Sequence, residues 1–225
     1  MQVQAVTKIG NSKPVSSNQQ GVHEHLDVLV TKHLNTIDRT PIPDFVKDSF
    51  ELIAKTLRQT GLPLWLDSFC GTGISTRRLA EQHPDFCVVG VDQSQQRLGA
   101  EPPPELNNCL LVRSDCEALW RLMATHKVCA KQHTLFYPNP WPKASQVKRR
   151  VHGHASFQAL LDISPNLELR TNWETYAREF AQALTLARRP IELTSFTPQE
   201  PITRFEAKYA ASQHTLWKVR STTSS

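Results

Sequence analysis

A chain of 225 residues is long enough for one sizeable core and lies at the upper end for a single domain. With 39% hydrophobic and 21% charged residues a folded globular protein is the default, and no apolar run approaches the ~20 residues that span a bilayer. The net charge of +5 favours a polyanionic partner without requiring one, since many soluble proteins are mildly basic for no specific reason.

Residues 1–21 are polar and aperiodic and carry no apolar stretch of the signal-peptide kind, so a flexible tail is expected there. Val22, Leu26, Leu29, Val30 and Leu34 recur at helical spacing over 22–36. A second helix runs from Pro41 through Phe45, Val46, Phe50, Ile53 and Leu57 to Gly61, with Asp44 as a candidate cap. From residue 62 the pattern alternates. Strands are expected at 62–69, 86–94, 108–115 and 133–141, with helices at 73–84 and 116–126 and a proline-rich loop through Pro102–Pro104. Beyond these come a helix at 155–164, a strand at 167–172, a helix at 173–189 and closing strands at 191–196 and 214–220. Strands alternating with helices predict an α/β fold, a mostly parallel sheet covered on both faces. The domain plan is a tail (1–21), a helical extension (22–61) and a Rossmann-like core (62–225).

The five cysteines, Cys70, Cys87, Cys109, Cys116 and Cys129, are odd in number and form no CxxC. That pattern predicts reduced thiols in a cytoplasmic protein rather than disulfides or a zinc site. His23-Glu24-His25 and His152-Gly153-His154 lack helical i,i+4 spacing and an obvious third ligand, so no metal is expected.

In DSFCGTGIST, Asp67 closes the first strand and Gly71 and Gly73 turn the chain into a helix. Asp92 closes the second strand and Asp115 the third. Glycines admit a ligand close to the backbone, and an acid after the second strand accepts hydrogen bonds from ribose hydroxyls. The third glycine of a dinucleotide fingerprint is absent, Thr76 standing there, and an acid four residues before Gly71 suits a cationic amino-acid moiety better than a diphosphate. S-adenosylmethionine fits this set best. A nicotinamide dinucleotide, or an ordinary turn with solvated acids, remains the alternative. Phe69, Gln93 and Cys116, next to these positions, complete the expected cofactor contacts. Cys116 reads as a small buried residue rather than a nucleophile.

LFYPNPWPKASQVKRR follows the fourth strand, where Rossmann-type methyltransferases hold the acceptor. PNPWPK…KRR resembles the PDPWxKxRHxKRR signature of the tRNA (guanine-N7)-methyltransferase family. TNWETY (171–176) resembles its TDWxxY, TRFEAKYAASQHTLWKV (203–219) its TxFExRGxxxGHxxW, and DSFCGTG loosely its first motif. The likeness runs from about residue 62 to the C-terminus. It implies a class I methyltransferase fold, S-adenosylmethionine as cofactor and tRNA as partner, on a monomer or weak homodimer with no membrane association. It also places Asn139 and Lys143 at the reacting centre. Lys143, Arg149, Arg150, Asn172, Thr203, Arg204, Phe205 and Glu206 become substrate contacts, and Lys148 joins the basic run on RNA phosphates. A solvated helix face is the plain reading of those cations, and plain core the plain reading of Trp141.

The departures concern the acceptor. Asn139 and Asn172 stand where the family has aspartates, the basic run lacks an internal Arg-His pair, and AKYAASQHTLW lacks the family's glycines. These mark a diverged paralogue. Guanine N7 has a free lone pair, so transfer needs no general base, and positioning can carry it. An aspartate would also accept from N1–H and N2–H and offset the charge that methylation creates, whereas asparagine supplies no charge. A tRNA-binding pseudoenzyme and a methyltransferase retuned to another acceptor are therefore the competing readings.

Overall fold

The computed structural model describes residues 10–103 and 105–223. Seven strands form one sheet: β1 (Leu64–Ser68), β2 (Cys87–Asp92), β3 (Cys109–Arg113), β4 (Gln132–Phe136), β5 (Asn166–Thr171), β6 (Glu192–Phe196) and β7 (Leu216–Thr222). Their order is β3-β2-β1-β4-β5-β7-β6. The first five are mutually parallel, while β7 runs antiparallel to both β5 and β6. This order, with its single reversed strand, is the class I methyltransferase topology.

Eight α-helices accompany the sheet among the described residues: α1 (Leu26–Leu34), α2 (Asp44–Thr60), α3 (Ile74–Gln82), α4 (Gln95–Leu98), α5 (Cys116–Thr125), α6 (Phe157–Ile163), α7 (Glu174–Leu186) and α8 (Arg204–Ala211). Two faces are covered unequally. Leu66, Val89, Val91, Leu135, Leu169 and Val219 point into a large core shared with α1, α2, α5, α6 and α7. Trp65, Val88 and Phe136 point the other way, into a smaller core closed by Leu79 and Ala80 of α3. Every residue of β2 is buried because both of its faces are covered, whereas β5 alternates half-buried and buried because one face is open.

Helix α2 starts after Pro43, whose extended backbone precedes the first turn. The expected cap, Asp44, lies inside that turn and pairs with Lys47 at 2.8 Å. Gly61 ends the helix at φ +66°, donating to Leu57 O. Helix α8 has no counterpart in the sequence reading. Its eight residues follow Thr203, whose hydroxyl accepts from Glu206 N–H.

The expected tail divides. Residues 1–9 lie outside the described residues, as does Pro104 of the expected loop. Residues 10–19 are seated on the body rather than free. Gly10 N–H donates to Ala211 O, Ser12 N–H to Ser212 Oγ, and Ser17 Oγ–H to Pro142 O. Asn18 Oδ1 accepts from Ala144 N–H, and Gln19 donates to Glu179. The segment thus straps the C-terminal end of α8 to the loop after β4.

Candidate functional site

The carboxyl ends of β1–β4 meet along one edge. Parallel strands deliver their terminal side chains and following loops to that edge, where an open α/β sheet binds its ligands. After β1 the chain turns sharply, with φ of +62° at Phe69, +61° at Gly71 and +76° at Gly73. Two of these positions use glycine. Phe69 bears the left-handed conformation with a side chain, and its ring lies edge-on to the buried Trp120, 5.6 Å between centroids.

Asp67 does not face the ligand edge. Its carboxyl is fully buried and accepts from Ser75 Oγ (2.6 Å), Thr76 Oγ1 (2.8 Å) and Thr134 Oγ1 (3.2 Å). Burial pushes its pKa up to about 6 against those three bonds. Gly90 makes this possible, since a Cβ there would lie 2.2 Å from Thr76 Oγ1. Asp67 therefore braces the start of α3 beneath the glycine loop. The expectation that it holds a cationic amino-acid moiety gives way to that role.

Asp92 ties the loop to β2. Its Oδ2 accepts from Gly71 N–H at 3.0 Å and its Oδ1 from Ser94 N–H at 2.8 Å. Arg97 completes an ion pair with Oδ1 at 2.9 Å, but its side chain is 57% exposed, so the arm is weakly held. Asp115 caps α5 by accepting from Ala118 N–H at 2.8 Å. Cys116 is buried, its thiol donates to Val91 O at 3.7 Å, and burial pushes its pKa upward, which fits packing and not nucleophilicity. A cleft of about 190 Å³ joins Phe69, Asp92, Gln93, Asp115 and Cys116 to Asn139 and Arg149. Pro138, Trp141, Val151, Tyr176, Arg97 and Glu117 close its walls.

The loop after β4 is held from three sides. Tyr137 N–H donates to Arg170 O, and its hydroxyl to Glu206 Oε1 at 3.0 Å. Pro138 is buried, and Tyr137 and Trp141 take positive φ on either side of the two prolines. The Arg149 guanidinium lies 4.8 Å from the Trp141 ring, so indole and cation form one stacked surface. Lys143, Lys148 and Arg149 are exposed, as is Asn139.

Arg150 is not. It is 0% exposed and pairs with Glu179 at 2.5 Å. It also donates to Trp141 O (3.0 Å), Lys143 O (3.3 Å) and Gln19 Oε1 (3.0 Å), with Trp173 stacked 4.9 Å away. Every donor direction is turned inward, so the expected phosphate contact is instead an internal strut that fixes the acceptor loop. Burial pushes the Glu179 carboxyl up, but the hydrogen bond from His152 and the Arg150 charge outweigh it and hold the group well below its usual range. His152, once weighed as a metal ligand, is buried on this carboxylate at 2.9 Å.

Of the C-terminal candidates, none borders the cleft. Glu206 is fully buried and accepts from Tyr137, Arg170 Nη1 (2.9 Å) and Ile202 N–H. It supports the loop from beneath and so corrects its assignment as a substrate contact. Arg204 is engaged with Glu101, and Thr203 caps α8. Phe205 remains 51% exposed beside Tyr209. Asn172 donates to His214 Nδ1 at 3.1 Å, and His214 Nε2–H then donates to Ser12 O, which places both under the strap rather than in the cleft.

Two charged lining residues escaped the sequence reading, Arg97 and Glu117. Glu117 looks like an ordinary acid in a first helical turn, and only the tertiary structure shows that it faces the cleft. The carboxylates gathered here fit a phosphate-free nucleoside better than a diphosphate. Among the described residues no three His, Cys, Asp or Glu side chains converge on a metal-sized site, and no helix is long and apolar enough to cross a membrane.

Residues 62–219 match the family model described as "Putative methyltransferase". A tRNA (guanine-N(7)-)-methyltransferase of Pseudomonas fluorescens is 30% identical over 178 residues, 70% of each chain. One of Edwardsiella ictaluri is 27% identical over 188 residues, 77% of each. Among solved structures, the 16S rRNA methyltransferase KamB superposes with a TM-score of 0.58 at 17% identity, covering 77% of this chain and 94% of that one. The 16S rRNA (adenine(1408)-N(1))-methyltransferase of Catenulisporales acidiphilia, solved with its cosubstrate SAM, gives 0.53 at 19%, covering 76% and 90%. These two likenesses concern the fold.

Proposed function

The chain belongs to the methyltransferase family whose model it matches, and on that footing we propose that it is an S-adenosylmethionine-dependent tRNA methyltransferase acting on guanine N7. The observation that carries this reading is one cleft uniting the acids at the ends of β2 and β3 with Asn139 and the stacked Trp141–Arg149 pair. Asp92 would accept from the ribose hydroxyls, and Asp115 would meet the adenine edge beside Cys116. Ligand clefts usually hold roughly 300–1,000 Å³. The cleft is smaller, and the exposed Arg97 arm on Asp92 is one of its walls.

When bound, the cofactor supplies a methyl group on a sulfonium. The chain's own residues position the acceptor. Asn139, fixed between two prolines by Tyr137 and Arg150, offers its NH₂ to the guanine carbonyl. Trp141 and Arg149 present a stacking surface, and Lys143 and Lys148 meet phosphate. Guanine N7 carries a lone pair, so orientation and exclusion of water suffice without proton abstraction.

A second reading, tRNA binding without transfer, is favoured by one observation: the loop's central side chain is an uncharged amide. Incubation with isotopically labelled S-adenosylmethionine and tRNA lacking 7-methylguanosine, followed by nucleoside mass spectrometry, separates the two. Labelled 7-methylguanosine is expected. A different labelled nucleoside would redirect the acceptor, and retained tRNA without label would leave the binding module.

A further inference from the structure

Methyl transfer to guanine N7 forms an N–C bond from the N7 lone pair while the C–S bond breaks and leaves its electrons on sulfur. No proton moves, and the purine ring becomes cationic. A site that stabilises this step aims negative charge at the ring. The acceptor loop contributes an amide and cations only. Negative charge is found elsewhere in the cleft.

Three carboxyls face it, and two are already engaged. Asp92 is held by Gly71, Ser94 and Arg97, and Asp115 by Ala118 N–H. Glu117 is different. It projects from the first turn of α5 into the space shared with Asn139 and Tyr176, and no other side chain of the described residues hydrogen-bonds it. Glu117 is half-buried on the cleft wall and its carboxylate is bonded only by its own backbone N–H, so it remains open to a ligand, and a carboxylate placed so in a cleft is a functional signature. We propose that Glu117 is the acceptor-side carboxylate of this site, accepting from the guanine N1–H and N2–H groups and offsetting the charge that methylation places on the ring. This rests on the guanine reading above.

Its ionisation belongs to the argument. Burial, then the charge of Asp115, push its pKa up to about 7. The groups facing it are Asp92 at the end of β2, Arg97 on α4, Asp115 at the cap of α5, Tyr176 on α7 and Arg149 on the acceptor loop. A cationic transition state favours the ionised form, so the rate rises with pH through about 7.

The test compares wild-type full-length protein with Glu117→Gln, and with Glu117→Gln combined with Asn139→Asp, on an unmodified tRNA transcript. Methylation kinetics are read from pH 5.5 to 8.5, and S-adenosylmethionine affinity by calorimetry. Glu117→Gln is expected to lower kcat/KM for tRNA by roughly 10- to 100-fold, the loss of one charge-assisted contact. It should leave cofactor affinity unchanged and flatten the limb near pH 7. Asn139→Asp in that background should recover part of the rate, a readout that a folding defect would not give. Unchanged tRNA kinetics with an unchanged pH profile overturn the inference alone. So does a loss confined to cofactor affinity, which would put Glu117 on the adenine. A wild-type chain that labels no guanine overturns the acceptor reading and this inference with it.

Discussion

Arg150 and Arg149 are neighbours in sequence with opposite fates. Arg149 stacks on Trp141 in solvent, whereas Arg150 is sealed beneath the loop by Glu179. A buried pair is costly to assemble and costlier to break, because the surviving charge has no water to turn to. Glu179→Gln should therefore destabilise the fold by about 3–5 kcal/mol in urea unfolding, against ~0.5 kcal/mol or less for the exposed Lys148→Ala. Equal effects would show that Arg150 finds solvent. This contrast sets the limit of sequence reading at the residue scale. The run KRR announces three cations, but the fate of its last member depends on an acid 29 residues later. The places of Asp92 and Asp115 on the cleft are legible because they follow from strand-end position alone. Asp67 misleads because it shares that position while the hydroxyls of Ser75 and Thr76 fold back over it.

At the scale of elements, the alternation of buried strands and amphipathic helices between residues 62 and 222 fixes the sheet, and local pattern suffices to read it. Helix α8 and the strap at 10–19 are not legible in that way. The helix is short and owes its start to the Thr203 cap, and the strap is polar, held by hydrogen bonds that no periodicity records. Together they frame the acceptor loop, with α8 reaching Tyr137 through Glu206 and the strap reaching Ala144 through Asn18. If the strap fixes the loop, replacing Asn18 and Gln19 by alanine should speed hydrogen exchange of the Ala144 amide at least several-fold, since its one acceptor among the described residues is Asn18 Oδ1. Amides in the middle of β1 should not change. Equal protection in both proteins would mean that the prolines and Arg150 hold the loop without help.

For the molecule as a whole, buried titratable groups pull stability in opposite directions. His133 is buried between Ser68 and Ser164, and burial lowers its pKa to about 3. The unfolded chain binds this proton near 6.5, so the contribution is complete above 6.5 and is lost as pH falls toward 3. Asp67 behaves inversely. Its folded pKa of about 6 lies above the ordinary 3.8, so its contribution is complete below 3.8 and is lost as pH rises through 6. The loss is on the order of 3 kcal/mol. Glu117 adds a loss of the same sign between 4.5 and about 7. His152, whose pKa burial also lowers, acts with His133, so two slopes of each sign oppose one another and predict a broad, flat stability maximum between pH 4 and 7 rather than a climb toward neutrality. Asp67→Asn isolates one slope. The amide oxygen can still accept from Ser75 and Thr76, and its NH₂ can donate to Thr134, whose hydroxyl then turns toward Leu66 O. Measured by urea unfolding, the variant should gain stability relative to wild type between pH 4 and pH 8. A difference that stays constant across that range would mean that Asp67 is ionised in the folded protein throughout, and that the hydroxyls around it outweigh its burial.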